Sequence, residues 1–132
     1  MYKRQVSSIV LLAPAISPKL VRVRYYNHLA NLPIIRSILP LPLHRSNEEM
    51  FLLSDELALM KPQLREIKTN ITVIQGGKDG IVHPDNAVYA QDEIINSSVR
   101  THILPTRGHF LPWEEYEFIK EKILKNFMIL EN

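Results

Sequence analysis

Cysteine is absent and glycine is scarce: the 132-residue chain has no Cys and only four Gly. The first absence excludes disulfides, thiolate chemistry and cysteine-based metal sites together. It fits a reducing compartment, and a cytoplasmic location is the expectation. An excess of one charge is missing too. Sixteen Lys and Arg face 14 Asp and Glu, for a formal net charge of +2. The basic residues, among them Arg22, Arg24, Arg36, Arg45, Lys61 and Arg65, form no block. They read as a solvated face rather than a phosphate-tracking stripe, so no nucleic-acid partner is expected. No apolar run approaches the ~20 residues of a membrane helix, so no membrane span is expected. Only the N-terminus is ambiguous. Lys3 and Arg4 precede the apolar run Ile9 to Ala13, and Ala13-Pro14-Ala15 has the small-x-small outline of a signal cleavage site. The run is short for that purpose, and Ser7, Ser8 and Pro14 bound it, which favours a buried strand. No His-x-x-x-His pair or carboxylate cluster suggests a metal.

What is present is ordinary for one globular domain: 45% apolar and 23% charged residues. Val6 to Pro14 is short, partly β-branched and stopped by proline, as a strand buried on both faces in a parallel sheet would be. Residues 18–68 read as helical, with Pro33, Pro40, Pro42 and Pro62 cutting the stretch into short pieces. Within it, Ser46 to Glu49 matches a capping box, and Met50, Leu53, Leu57 and Met60 recur at helical spacing. Ile71 to Gln75 reads as a second strand, followed by the loop Gly76-Gly77-Lys78-Asp79-Gly80. Pro84 suits the first turn of a helix running to about Asn96, with Ala87, Ala90 and Ile94 on one face. Arg100 to Leu104 is a third strand. From Trp113 a helix follows with the stripe Tyr116, Ile119, Ile123, Phe127 and Leu130, early glutamates, later lysines and a Glu121–Lys125 pair. Strand, helices, strand, helix, strand, helix predicts an α/β fold with parallel strands.

Ligands of open parallel sheets bind at the C-terminal ends of the strands. Two titratable residues fall there: Asp79 after the second strand and His109 after the third. A carboxylate beside an imidazole fixes its tautomer and stabilises the imidazolium formed in catalysis. The plainer alternatives are that Asp79 caps a turn and that His109 is a buried structural histidine. His83, before Pro84, reads as a helix-start residue, and Asp85 as one that hydrogen-bonds its own helix start. His102 lies in a strand, and His28 and His44 lie in the helical stretch. Phe110 and Trp113 follow His109 and either line a substrate pocket or pack the last helix onto the sheet.

The stretch Ile71 to Val82, with its Gly-Gly-Lys-Asp-Gly loop, resembles the acid loop of the α/β-hydrolases. Gly108-His109-Phe110, then Trp113-Glu114, resembles that family's histidine loop, and the spacing of 30 positions between Asp79 and His109 is typical of it. The resemblance covers nearly the whole chain. It implies a three-layer, partial α/β-hydrolase fold, with about three parallel strands flanked by helices and a short helical cap. Residues 1–132 would form a single C-terminal portion of such a domain: strand 6–14, cap segment about 18–68, and strand-helix-strand-helix over 71–130. Asp79 would be the acid and His109 the base, with Phe110 and Trp113 against the substrate. No cofactor and no metal are implied.

The family's chain order is nucleophile, acid, base, with the nucleophile on a G-x-S-x-G elbow. That motif is absent. All four glycines, Gly76, Gly77, Gly80 and Gly108, lie in the acid and histidine loops. Ser7 and Ser8 fall at the wrong end of their strand, and Ser17 has no elbow. The resemblance therefore implies a serine hydrolase of carboxylic esters or related acyl bonds, represented without its nucleophile and expected to be inactive alone. A non-catalytic remnant or interaction module is the alternative. The first strand would leave an open edge, so the chain is expected to pair with a complementary N-terminal half, form a homodimer through that edge, or aggregate. The substrate, an ester-like small molecule, is not specified further, and cap-bearing members use either Ser or Asp as nucleophile.

Overall fold

The structure is a computed structural model and describes residues 6–128, the last two by their backbone alone. Lys3, Arg4, Leu130 and the Phe127 side chain therefore lie outside the description. A 3-stranded sheet in the order β1-β2-β3 forms the centre, from β1 Ser8–Leu12, β2 Asn70–Gly76 and β3 Val99–Leu104. Both pairings are parallel. Ser8 stands beside Asn70 and Leu12 beside Ile74, while Ile71 stands beside Val99 and Gly76 beside Leu104. β2 and β3 thus end level, and the loops that leave them start side by side.

Alternation along β2 divides the core. Ile71 and Val73 face one side and pack with Ile16, Leu64, Ala87, Ala90 and Ile94. Ile74 faces the other and packs with Ala13, Leu111 and Ile119. Helices therefore cover both faces: the end of α3 (Leu41–Leu64) and α4 (Asn86–Glu93) on one, α5 (Leu111–Glu114) and α6 (Tyr116–Met128) on the other. This is the expected three-layer α/β arrangement. The short helices α1 (Tyr25–Ala30) and α2 (Pro33–Ile38) lead into α3. Among the described residues, no helix is long and apolar enough to cross a membrane.

Several local readings change. β1 is not buried on both faces. Each of its residues is half-buried, because β2 is its only strand neighbour among the described residues. The prolines break the helical stretch less than expected. α3 runs unbroken for 24 residues, with Pro42 in its first turn, where no intrahelical N–H partner is needed, and Pro62 near its end. Ser46 consequently sits inside α3 and caps nothing, although Leu57 is buried and the Met50, Leu53 and Met60 side chains are half-buried, as the stripe predicts. Pro84 precedes α4 in a turn closed by Asn86 N–H on His83 O and Ala87 N–H on Pro84 O. The last helix is interrupted at Glu115, where φ −133° and ψ 37° leave the helical region. The Glu121–Lys125 ion pair forms at 2.7 Å.

Candidate active site

Two loops meet at the C-terminal end of the sheet because glycine lets them. A Cβ on Gly76 would fall 2.6 Å from Arg107 O and closer still to Gly108 O. A Cβ on Gly77 would lie 2.9 Å from Pro105 Cα. With both positions bare, Gly77 N–H donates to Leu104 O at 2.8 Å and Lys78 N–H to Arg107 O at 2.9 Å. The acid loop and the histidine loop are thereby joined backbone to backbone. Arg107 also pairs with Glu115, which ties the histidine loop to the α5–α6 junction.

That junction brings Asp79 and His109 together. His109 Nδ1 lies 2.9 Å from Asp79 Oδ2. The Asp79 side chain is fully buried, while that of His109 is 30% exposed. Asp79 Oδ1 accepts the Ile81 and Val82 N–H groups, each at 2.8 Å. Its Oδ2 also accepts Gln75 Nε2 at 3.0 Å. Burial opposes the charge on Asp79. The hydrogen bonds from His109, Val82 and Ile81 and the charge of His109 outweigh it and hold the carboxyl below its ordinary range. An ionised carboxylate only accepts, which assigns the shared proton to Nδ1 and leaves Nε2 as the basic nitrogen. No hydrogen bond engages Nε2 among the described residues.

Phe110 and Trp113 do not pack the last helix onto the sheet. They are 56% and 80% exposed, and the fully buried Leu111 does that packing. The Phe110 ring stands edge-on to His109 at 5.7 Å and to Trp113 at 6.0 Å between centroids. A mainly apolar cavity of about 70 Å³ opens beside the acid loop, between Leu20, Val21, Met50 and Leu53 on one side and Ile81 and Val82 on the other. Arg24 donates to Gly80 O and so ties the helical stretch to the same loop.

The remaining histidines stay apart from the pair. His83 Nδ1 accepts the Asp85 N–H at 3.2 Å just before α4. Asp85 makes no side-chain cap to that helix. His102 packs edge-on against Phe118 at 5.7 Å, and burial, with the charges of Lys122 and Arg100, lowers its pKa. His28 packs against Phe51, and His44 lies near Glu48. The buried polar residues that drew no role from the sequence include Gln75 and Asn86. Gln75 holds Asp79. Asn86 Oδ1 accepts Ile16 N–H at 2.9 Å and Ser17 N–H at 2.8 Å, which fixes the turn after β1. The available signal was a polar residue inside an apolar strand for the first, and an asparagine at a helix start for the second.

No family profile and no curated protein sequence matches the chain. Solved structures do. A meta-cleavage product hydrolase from Pseudomonas fluorescens, a variant complexed with acetates, superposes with TM-score 0.54 at 14% identity, covering 98% of this chain and 58% of that one. Acetyl xylan esterase 1 from a Thermoanaerobacterium species gives TM-score 0.51 at 23% identity, over 89% of this chain and 37% of that one. The fold is that of part of an α/β-hydrolase. A second meta-cleavage product hydrolase variant gives TM-score 0.51 at 15% identity, covering 96% of this chain and 57% of that one. The chain spans little more than half the length of the hydrolases it matches at most. At these identities the likeness concerns the α/β-hydrolase fold alone.

Proposed function

We propose that this chain supplies the acid and the base of an α/β-hydrolase active site that cleaves a carboxylic ester or related acyl bond. The observation that carries the reading is the contact between a buried Asp79 and a partly exposed His109 across 2.9 Å, at the C-terminal end of a parallel sheet. Asp79 holds the Nδ1–H tautomer. His109 Nε2 then takes a proton from the nucleophile's hydroxyl and returns it to the leaving group, while Asp79 stabilises the imidazolium in between. The nucleophile and its oxyanion hole belong outside these 132 residues, since no G-x-S-x-G occurs among them. An N-terminal portion of the same fold, in the same chain or a separate one, would bring them to the open side of β1. Residues 18–68 would form a cap over the site, and Phe110 and Trp113 the substrate wall beside the base. A cytoplasmic location goes with this reading, and the cysteine-free chain permits it.

A non-catalytic interaction module is the second reading. It is favoured by the missing nucleophile and by the apolar side chains exposed on α1, α2 and α3.

The deciding experiment starts with the DNA upstream of the Met1 codon. If an in-frame elbow is encoded there, the extended protein should hydrolyse a nitrophenyl ester. His109→Ala should then lower kcat by about a million-fold, with the fold intact by circular dichroism. The 132 residues alone should show no turnover. An upstream stop, with no elbow and no turnover when a nucleophile-bearing half is supplied, leaves the second reading standing.

A further inference from the structure

Gln75 is the last side chain of β2 before the glycine pair, and it is fully buried. Strand alternation places it on the same side as Ile71 and Val73, where an apolar residue would join the core. It does something else. Its Nε2 donates to Asp79 Oδ2 at 3.0 Å, the oxygen that His109 Nδ1 also engages. Ile81 and Val82 N–H groups hold the other oxygen, so the carboxylate is gripped on both sides. Because the carboxylate only accepts, the amide nitrogen must face it and Oε1 must turn away. Oε1 has no protein donor among the described residues. A methionine of similar size would fill the position without burying that oxygen. What glutamine adds, and methionine cannot, is the N–H on Oδ2.

We propose that Gln75 is a positioning residue of this site, fixing the Asp79 carboxylate against His109 Nδ1 through its hydrogen bond to Oδ2. The inference rests on the reading of Asp79 and His109 as acid and base. Backbone donors orient Oδ1 but leave the carboxylate free to swing Oδ2 about them. A donor on Oδ2 from the strand side stops that swing. Gln75 also takes up part of the negative charge that would otherwise face His109 alone.

The test uses the full chain and needs no substrate. The Asp79 carboxyl is titrated by carbon-13 NMR while the Gln75 side-chain amide signals are followed. The amide signals should move with the Asp79 titration. Gln75→Met should shift the Asp79 midpoint upward, because the charged form loses a donor. A residue that only fills space would move neither. Amide signals indifferent to Asp79 protonation overturn the proposal, and so does an unshifted midpoint in a folded Gln75→Met. If that variant does not fold, the wild-type amide signals decide alone. Asp79→Asn separates the two failures: if it leaves the His109 ring nitrogen resonances unchanged, the acid–base pair itself is refuted.

Discussion

Around Asp79 and His109 the molecule closes on itself. The two loops bond backbone to backbone, and the glycine pair leaves them no slack. The helical stretch between Tyr25 and Leu64 is built the opposite way. Its buried asparagines are paired inside: Asn27 Nδ2 donates to Asn47 Oδ1 at 2.8 Å, and Asn47 Nδ2 reaches Asn27 O and Asn31 Oδ1 at 3.0 and 2.9 Å. Its apolar groups are not, since Ile34 and Ile38 stand 80% and 77% exposed. The contrast teaches where order resides. The site is set by contacts within β2, β3 and their loops, while the helical stretch leaves apolar side chains uncovered. Substitutions at Gly76 and Ser46 should break the symmetry most sharply. Gly76→Ala drives a methyl into two carbonyl oxygens of the histidine loop and should cost about 3 kcal/mol or more. Ser46→Ala, on an exposed helical position with no cap to lose, should stay within about 0.5 kcal/mol. Urea unfolding of both variants measures the difference; a mild Gly76→Ala would mean that the loops are not tightly joined.

Acid should weaken the two regions unequally, with a smaller effect than the glycine change. The Asp79 carboxyl is held below its ordinary range in the folded chain. A depressed carboxyl contributes stability above its unfolded value, about 3.9, and loses it as pH falls through the lower folded value. The stability gap between wild type and Asp79→Asn should therefore shrink as pH drops below about 4. Chemical denaturation midpoints across that range read the gap directly. A gap that stays flat to pH 3 would contradict an ionised, hydrogen-bonded Asp79.

The sheet and the pair were legible because both are written locally. Ile71 to Ile74 is an unbroken β-branched run soon ended by glycines, and Asp79 and His109 each follow a strand within a glycine-bearing loop. Boundaries in the helical stretch were not, because proline has two roles there. In the first turn of α3, Pro42 replaces an N–H that would be unpaired anyway, so a residue that reads as a breaker admits a helix start. The Ser46 capping box failed for the same reason: the pattern is necessary for that cap and not sufficient, and a longer helix ran through it. Gln75 and Asn86 were invisible as site residues because their value lies in partners four positions and 69 or 70 positions away. No periodicity records such a partner. β1 read as doubly buried since its composition reports the apolar faces it offers and not the neighbours that cover them.

The smallest effect on stability should come from the most exposed apolar side chains of α2. Ile34→Ser with Ile38→Ser removes two aliphatic groups that touch mostly solvent, so the urea midpoint should move by no more than about 0.5 kcal/mol equivalent. The same pair should reduce self-association in sedimentation velocity, because two apolar side chains one helical turn apart form the most exposed strip of the stretch. The two readouts answer different questions. Stability asks whether the strip is covered within one molecule, and sedimentation asks whether it is covered between molecules. A loss of more than about 1 kcal/mol would mean that α2 folds down onto its own chain in solution. The contrast between a closed site and an open helical stretch would then vanish. An unchanged midpoint with weaker association would preserve it and assign the uncovered strip, ahead of the open edge of β1, as the sticky surface of this chain.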